Sequence, residues 1–140
     1  MRTIAHAGRG DVHTLLIVLP LVFFAISLAF DVVAMLSGAH VWGVAAAVNL
    51  AAGLVSGSLS SVYFAREHDR YRPGSRARDL SFLFLWLSIC ALLPFAVSLV
   101  LRAVHPDGVT PSASVALSIM ALGVATLAGW LGDEATREQA

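Results

Sequence analysis

The sequence predicts an all-α integral membrane protein folded as a four-helix antiparallel bundle, and three observations predict it. Hydrophobic residues make up 58% of the chain and charged residues only 13%, whereas a soluble domain carries about a quarter charged. The mean hydropathy is +0.80. Four long apolar stretches alternate with short polar ones. A membrane-spanning helix needs about 20 apolar residues, because roughly 30 Å of hydrocarbon is crossed at 1.5 Å per residue with every backbone group bonded internally.

The first span is expected at 14–36. It is too long for a cleaved signal sequence and lacks a small-residue cleavage site, so it is expected to remain in the membrane. A tight turn at 37–40 follows, with Gly38 able to take the left-handed conformation that ends a helix. The second span is expected at 41–65 and the third at 79–101. Between them lies a polar loop, 66–78, with Pro73-Gly74 as its turn signal. His105-Pro106-Asp107-Gly108 forms the last connection, and the fourth span covers 110–132 with Pro111 in its first turn, where a missing N–H costs nothing. Short connections force neighbouring helices antiparallel, so residues 1–140 are expected to form a single membrane domain.

Orientation follows from the Arg residues. All nine basic residues are Arg. Arg2 and Arg9 precede the first span, Arg66, Arg70, Arg72, Arg76 and Arg78 occupy the middle loop, and Arg137 follows the fourth span, against Arg102 alone on the opposite side. The positive-inside rule then places both termini and the middle loop in the cytoplasm. Trp42, Tyr63 and Trp130 fall where interfacial anchors belong. The absence of Lys, with abundant Ala, Val, Leu and Gly, suits a GC-rich bacterial genome, and a bacterial cytoplasmic (inner) membrane is the expected location.

Nine acids balance the nine Arg, which removes the basic footprint of a nucleic-acid binder. A single cysteine, Cys90, permits no internal disulfide and no cysteine metal cluster, and it is expected to be a small core residue. Motifs for nucleotide binding or zinc proteolysis do not occur, and no nucleophile is paired with a base, so no enzymatic activity and no cofactor are expected.

Within the spans, helix two repeats small or polar residues at every fourth position: Ala45, Asn49, Gly53, Gly57 and Ser61. Helix four does the same with Ala121, Ala125 and Gly129. Lipid gives helices no hydrophobic reason to associate, so close backbone approach over such residues replaces it. Both faces are expected to be buried, against each other or against neighbouring helices. Asp31 is the acid well inside a span, about 7 Å from its end. It is expected to be satisfied by water or by Asn49, since an unpaired charge there costs roughly 3 kcal/mol on insertion scales. Asp133 and Glu134 are expected to reach Arg76 or Arg78.

Five histidines raise metal and haem binding. His40, His105 and Asp107 could meet at one end of the bundle as imidazole and carboxylate ligands, and His13 is the candidate for haem b. His13 and His40 sit at opposite faces and cannot share one metal.

With the spans placed, the chain resembles a bacterial membrane family, that of domain of unknown function 2231. The resemblance rests on Val12-His13, on Phe30-Asp31-Val32-Val33, and on the Gly-rich helix two with Ala52 to Gly57. It continues through Pro73-Gly74-Ser75-Arg76-Ala77-Arg78 and Gly129-Trp130-Leu131-Gly132-Asp133-Glu134. The chain departs from the family pattern where Thr14-Leu15 replaces Phe-Pro, and where Phe84 stands at a position that tends to be His. The resemblance implies that a family haem or metal site using those histidines is lost here. Some relatives are joined to Rieske-type iron–sulfur domains, which implies redox partners.

Three functional readings stand open. The first is a non-enzymatic bundle acting as an accessory or partner-binding subunit, with the lipid bilayer, other membrane proteins or further copies of itself as partners. The second is a redox-associated, haem-binding membrane protein. The third is a small transporter or channel subunit using Asp31.

Overall fold

The computed structural model describes residues 4–69, 72–105 and 112–137, and within these ranges the side chains at 4–11, 13, 132, 135 and 136 are not described. Four helices fill them: α1 (Ile4–Ser37), α2 (His40–His68), α3 (Arg76–Val104) and α4 (Ser112–Arg137). Among the described residues there is no strand. Each helix is long and apolar enough to cross a membrane, over Thr14–Ser37, His40–His68, Arg76–Val104 and Ser112–Leu131. The helices outrun the spans expected from hydropathy. Arg66–His68 extend α2 and Arg76–Arg78 open α3, so the expected 66–78 loop shrinks to 69–75. Helix propensity does not stop at the membrane boundary, and Arg and Glu are good helix formers in water. The expected start of the fourth span at Thr110–Pro111 lies outside the described residues.

The ends of the elements have local causes. Gly38 sits at φ +66°, and its N–H closes α1 onto the Ala34 carbonyl at 2.9 Å. Gly74 takes φ +77° in the second connection, and Ser75 caps α3 by accepting from the Arg78 N–H. That Ser is a preferred N-cap, and Asp79 in the first turn suits the positive end of the helix dipole.

Around the square the order is α1, α2, α3, α4, with α1 closing against α4. Packing is closest within the hairpins α1–α2 and α3–α4 and looser between them, and the diagonal pairs α1–α3 and α2–α4 make no backbone approach among the described residues. The end carrying the Gly38 turn is termed upper, and the end carrying 69–75 lower.

Burial follows steps of three and four. On α1 the line is Pro20, Phe24, Ser27, Asp31; on α2 it is Ala46, Leu50, Gly53, Gly57, Ser60, Phe64. On α3 it runs Ala77, Ser81, Phe84, Ala91, Phe95, Ser98, and on α4 it passes Ser114, Ser118, Ala121, Ala128. A repeat of 3.5 keeps one seam facing the bundle axis, the packing of left-handed helix bundles. Large apolar side chains such as Val48, Val55, Leu59, Leu93, Val97 and Met120 point outward. That distribution, with serines and an ion pair inside and Val, Leu and Ile outside, suits a lipid solvent. Cys90 corrects its expectation: it is exposed on this outer surface, not a core residue.

Gly53 and Gly57 are buried, as is Gly129. A Cβ on Gly53 would lie 2.4 Å from the Phe24 ring, and one on Gly57 would lie 2.8 Å from Leu92. Gly129 faces Ile17 and Leu21. The two small-residue faces therefore pack against neighbouring helices and not against each other. Ala121 is buried and Ala125 half-buried, whereas Ala45, Asn49 and Ser61 are only half-buried at the margin of their face. A strict four-residue row drifts about 40° per step around a 3.6-residue helix, so its ends slide off the seam.

Candidate functional site

Two residues on diagonally opposed helices meet near the upper end. Arg102 of α3 donates from Nη1 to Asp31 Oδ1 and from Nη2 to Asp31 Oδ2, each at 2.6 Å. The side chain of Asp31 is 0% exposed and that of Arg102 is 7%. The planar guanidinium matches both carboxylate oxygens at once, the strongest geometry available to such a pair. Asp31 thus has its partner, but not the one expected. Asn49 instead donates to the Ala45 carbonyl of its own helix at 2.9 Å. Hydropathy placed Arg102 just beyond its span, whereas α3 runs on to Val104 and carries Arg102 inward. The available signal was two opposite charges near the same ends of the first and third spans.

One turn pair below, the same two helices meet again. Phe24 and Phe95 stack with centroids 3.7 Å apart and an interplanar angle of 14°. Asp31 lies seven residues beyond Phe24 and Arg102 seven beyond Phe95. Because α1 and α3 run parallel, equal sevens carry both residues through two turns to the same height.

Serines provide the remaining interior polarity. Ser98 Oγ lies 3.0 Å from the Ser114 carbonyl oxygen and 3.1 Å from both Ser114 Oγ and Ser118 Oγ, joining α3 to α4. Ser27 donates to the Ala46 carbonyl at 2.7 Å and Ser60 to the Leu16 carbonyl at 2.6 Å, joining α1 to α2. Beneath the Phe24–Phe95 stack lies a cavity of about 50 Å³ reached by all four helices, with Pro20, Gly57, Ser88, Ala125 and Gly129 among its lining. Phe64 and Phe84 meet edge to face, centroids 4.8 Å apart, at its lower side. Below them His68 Nδ1 lies 3.1 Å from Ser81 Oγ.

Of the histidine candidates, the side chains of His40 and His105 lie among the described residues. His40 is exposed at the start of α2. His105 is exposed and its Nδ1 lies 2.8 Å from the Leu101 carbonyl oxygen of its own helix. Asp107 lies outside the described residues, and so does the side chain of His13. Among the described residues no three His, Cys, Asp or Glu side chains gather to hold a metal. Phe84 is buried against Phe64. Asp133 pairs with Arg137 one turn along α4 at 2.7 Å, both side chains exposed, in place of the expected Arg76 or Arg78.

These features define a polytopic helical membrane protein with a charged brace across its core. The family described as "Predicted membrane protein (DUF2231)" matches residues 10–140, and the chain belongs to it. No curated protein and no solved structure matches the chain.

Proposed function

We propose that this chain is a non-enzymatic protein of the bacterial cytoplasmic membrane that serves as an accessory or partner-binding subunit. In this reading both termini and the 69–75 connection face the cytoplasm, and no cofactor is held. The observation that carries it is the Asp31–Arg102 pair. Both carboxylate oxygens are occupied by the guanidinium, so the acid that a transport reading would use for a substrate is engaged in joining α1 to α3. The interior serines are similarly engaged with carbonyls of neighbouring turns or helices. What the bundle offers its surroundings is an apolar outer surface, suited to lipid and to other membrane helices.

The test has two arms. A reporter inserted between Pro73 and Gly74 should be active only in its cytoplasmic form, and the protein should resist alkaline carbonate. Tagged protein solubilised gently from native membranes should migrate in a complex of fixed stoichiometry. Stoichiometric haem with a Soret band, or solute flux in vesicles abolished by Asp31→Asn, would replace this reading with the redox or transport one.

A further inference from the structure

The two helices joined by the ion pair are also the two with internal prolines: Pro20 in α1 and Pro94 in α3. Each removes one i→i−4 hydrogen bond and crowds the preceding turn, the commonest cause of a bend in a helix. Both stand on the lower side of the stacked rings, Pro20 four residues before Phe24 and Pro94 one before Phe95, about a turn apart in height. Beyond them, α1 and α3 continue as arms that carry the stacked rings and then, at the far end, Asp31 and Arg102.

We propose that these arms, each carrying the upper half of its hairpin partner through Ser27 and the Ala46 carbonyl or through Ser98 and Ser114, form a hinged clamp, pivoting at Pro20 and Pro94 and held shut by Asp31–Arg102, so that release of the pair opens the upper end while the lower end stays closed. Four observations carry this. The arms belong to different hairpins, and the hairpins pack less closely on one another than within themselves. The α1 and α3 backbones make no close approach, so the diagonal contact is made by side chains that can part. The cavity lies against the α1 pivot, with Pro20 in its lining, and reaches α3 at Ala91 and Leu92, just before Pro94, leaving room for movement. Finally, Arg102 Nε is buried with no hydrogen-bond partner, so the closed state leaves one donor of the latch unmet. At the lower end, the 69–75 connection and the His68–Ser81 contact tie α2 to α3.

The experiment measures distances between spin labels on the full chain in lipid nanodiscs, after Cys90→Ala removes the exposed native thiol. Labels at Leu36→Cys and Val104→Cys report the upper end, and labels at Leu15→Cys and Leu83→Cys the lower; all four positions are exposed. An arm from Pro20 to Leu36 is about 24 Å long, so a 20° change at the proline moves its tip by about 8 Å. The unmodified pair should give one narrow upper distance. Asp31→Asn should add a population longer by several ångströms at the upper end only. The swap of Asp31→Arg with Arg102→Asp should remove that population, and so should Pro20→Ala with Pro94→Ala in the Asp31→Asn background. An unchanged upper distance in Asp31→Asn overturns the clamp, as does equal spreading at both ends. If Asp31→Asn cannot be recovered folded, Arg102→Lys, which keeps the charge but loses the fork, takes its place under the same expectations. Failure of both to fold would mean that the pair is an obligatory staple, and the clamp is then wrong.

Discussion

Ser60 of α2 has two carbonyl acceptors within reach of its single hydroxyl hydrogen, Leu16 of α1 at 2.6 Å and Ser56 of its own helix at 2.8 Å, and the Leu16 contact is the shorter. Leu16 is the residue four before Pro20, so its carbonyl is the one that the proline leaves without a helical N–H. The interhelical bond therefore satisfies a group that the sequence of α1 itself has orphaned. Ser60→Ala should destabilise the bundle by about 0.5–1.5 kcal/mol, read by reversible unfolding in mixed micelles with SDS. In a Pro20→Ala background the N–H of residue 20 can take the Leu16 carbonyl, and the cost of Ser60→Ala should fall by at least half. Strict additivity of the two substitutions would show that the carbonyl is not what couples them.

The ion pair makes a sharper prediction. Removing one partner strands a buried charge, and breaking such a pair typically costs about 3–5 kcal/mol. Arg102→Met should therefore be far more damaging than the double change Asp31→Leu with Arg102→Met, which leaves no charge behind and should lie within about 1 kcal/mol of the original. The same micelle titration decides it, with the double variant unfolding near the parent and the single variant well before it. Equal destabilisation would mean that shape, not charge, dominates the site.

How far the sequence could be read divides along the same line. The four spans and the turns at Gly38 and Pro73-Gly74 were legible because each depends on a local property, hydropathy or backbone conformation, that a short window contains. The burial of Gly53, Gly57 and Gly129 was legible for a similar reason, since small residues at helical spacing have few other uses in lipid. Arg102 was not legible as the partner of Asp31. The two lie 71 positions apart, on helices that never approach through their backbones, and a hydropathy window ended the third span at 101, one residue short of Arg102 and three short of the end of α3. Cys90 misled because hydrophobicity implies burial in water, whereas in lipid an apolar residue is equally at home outside.

Gly53 and Gly123 offer a controlled contrast within one protein. A methyl on Gly53 would meet the Phe24 ring at 2.4 Å, and that ring is held by its stack on Phe95. Gly53→Ala should therefore cost about 1–3 kcal/mol through overpacking. Around Gly123 nothing lies within 4 Å, so Gly123→Ala should gain up to about 1 kcal/mol from helix propensity alone. Opposite shifts in the unfolding midpoint check both at once, and loss of stability in Gly123→Ala would reveal a contact at that face which the isolated chain does not make.

Ser98 tests how much the α3–α4 hairpin owes to hydroxyl groups. Its oxygen contacts the Ser114 carbonyl, Ser114 Oγ and Ser118 Oγ, all in a fully buried setting. Ser118 also donates to the Ser114 carbonyl at 3.0 Å, so that acceptor keeps a partner when Ser98 is truncated. The loss in Ser98→Ala should thus be modest, about 0.5–1 kcal/mol. Ser98→Val forces an added methyl into a site that is 0% exposed and should cost about 1–3 kcal/mol. If Val proved milder than Ala, the hairpin would contain unfilled space beside Ser98, and packing there would have to be looser than the complete burial of Ser98 and Ser114 implies.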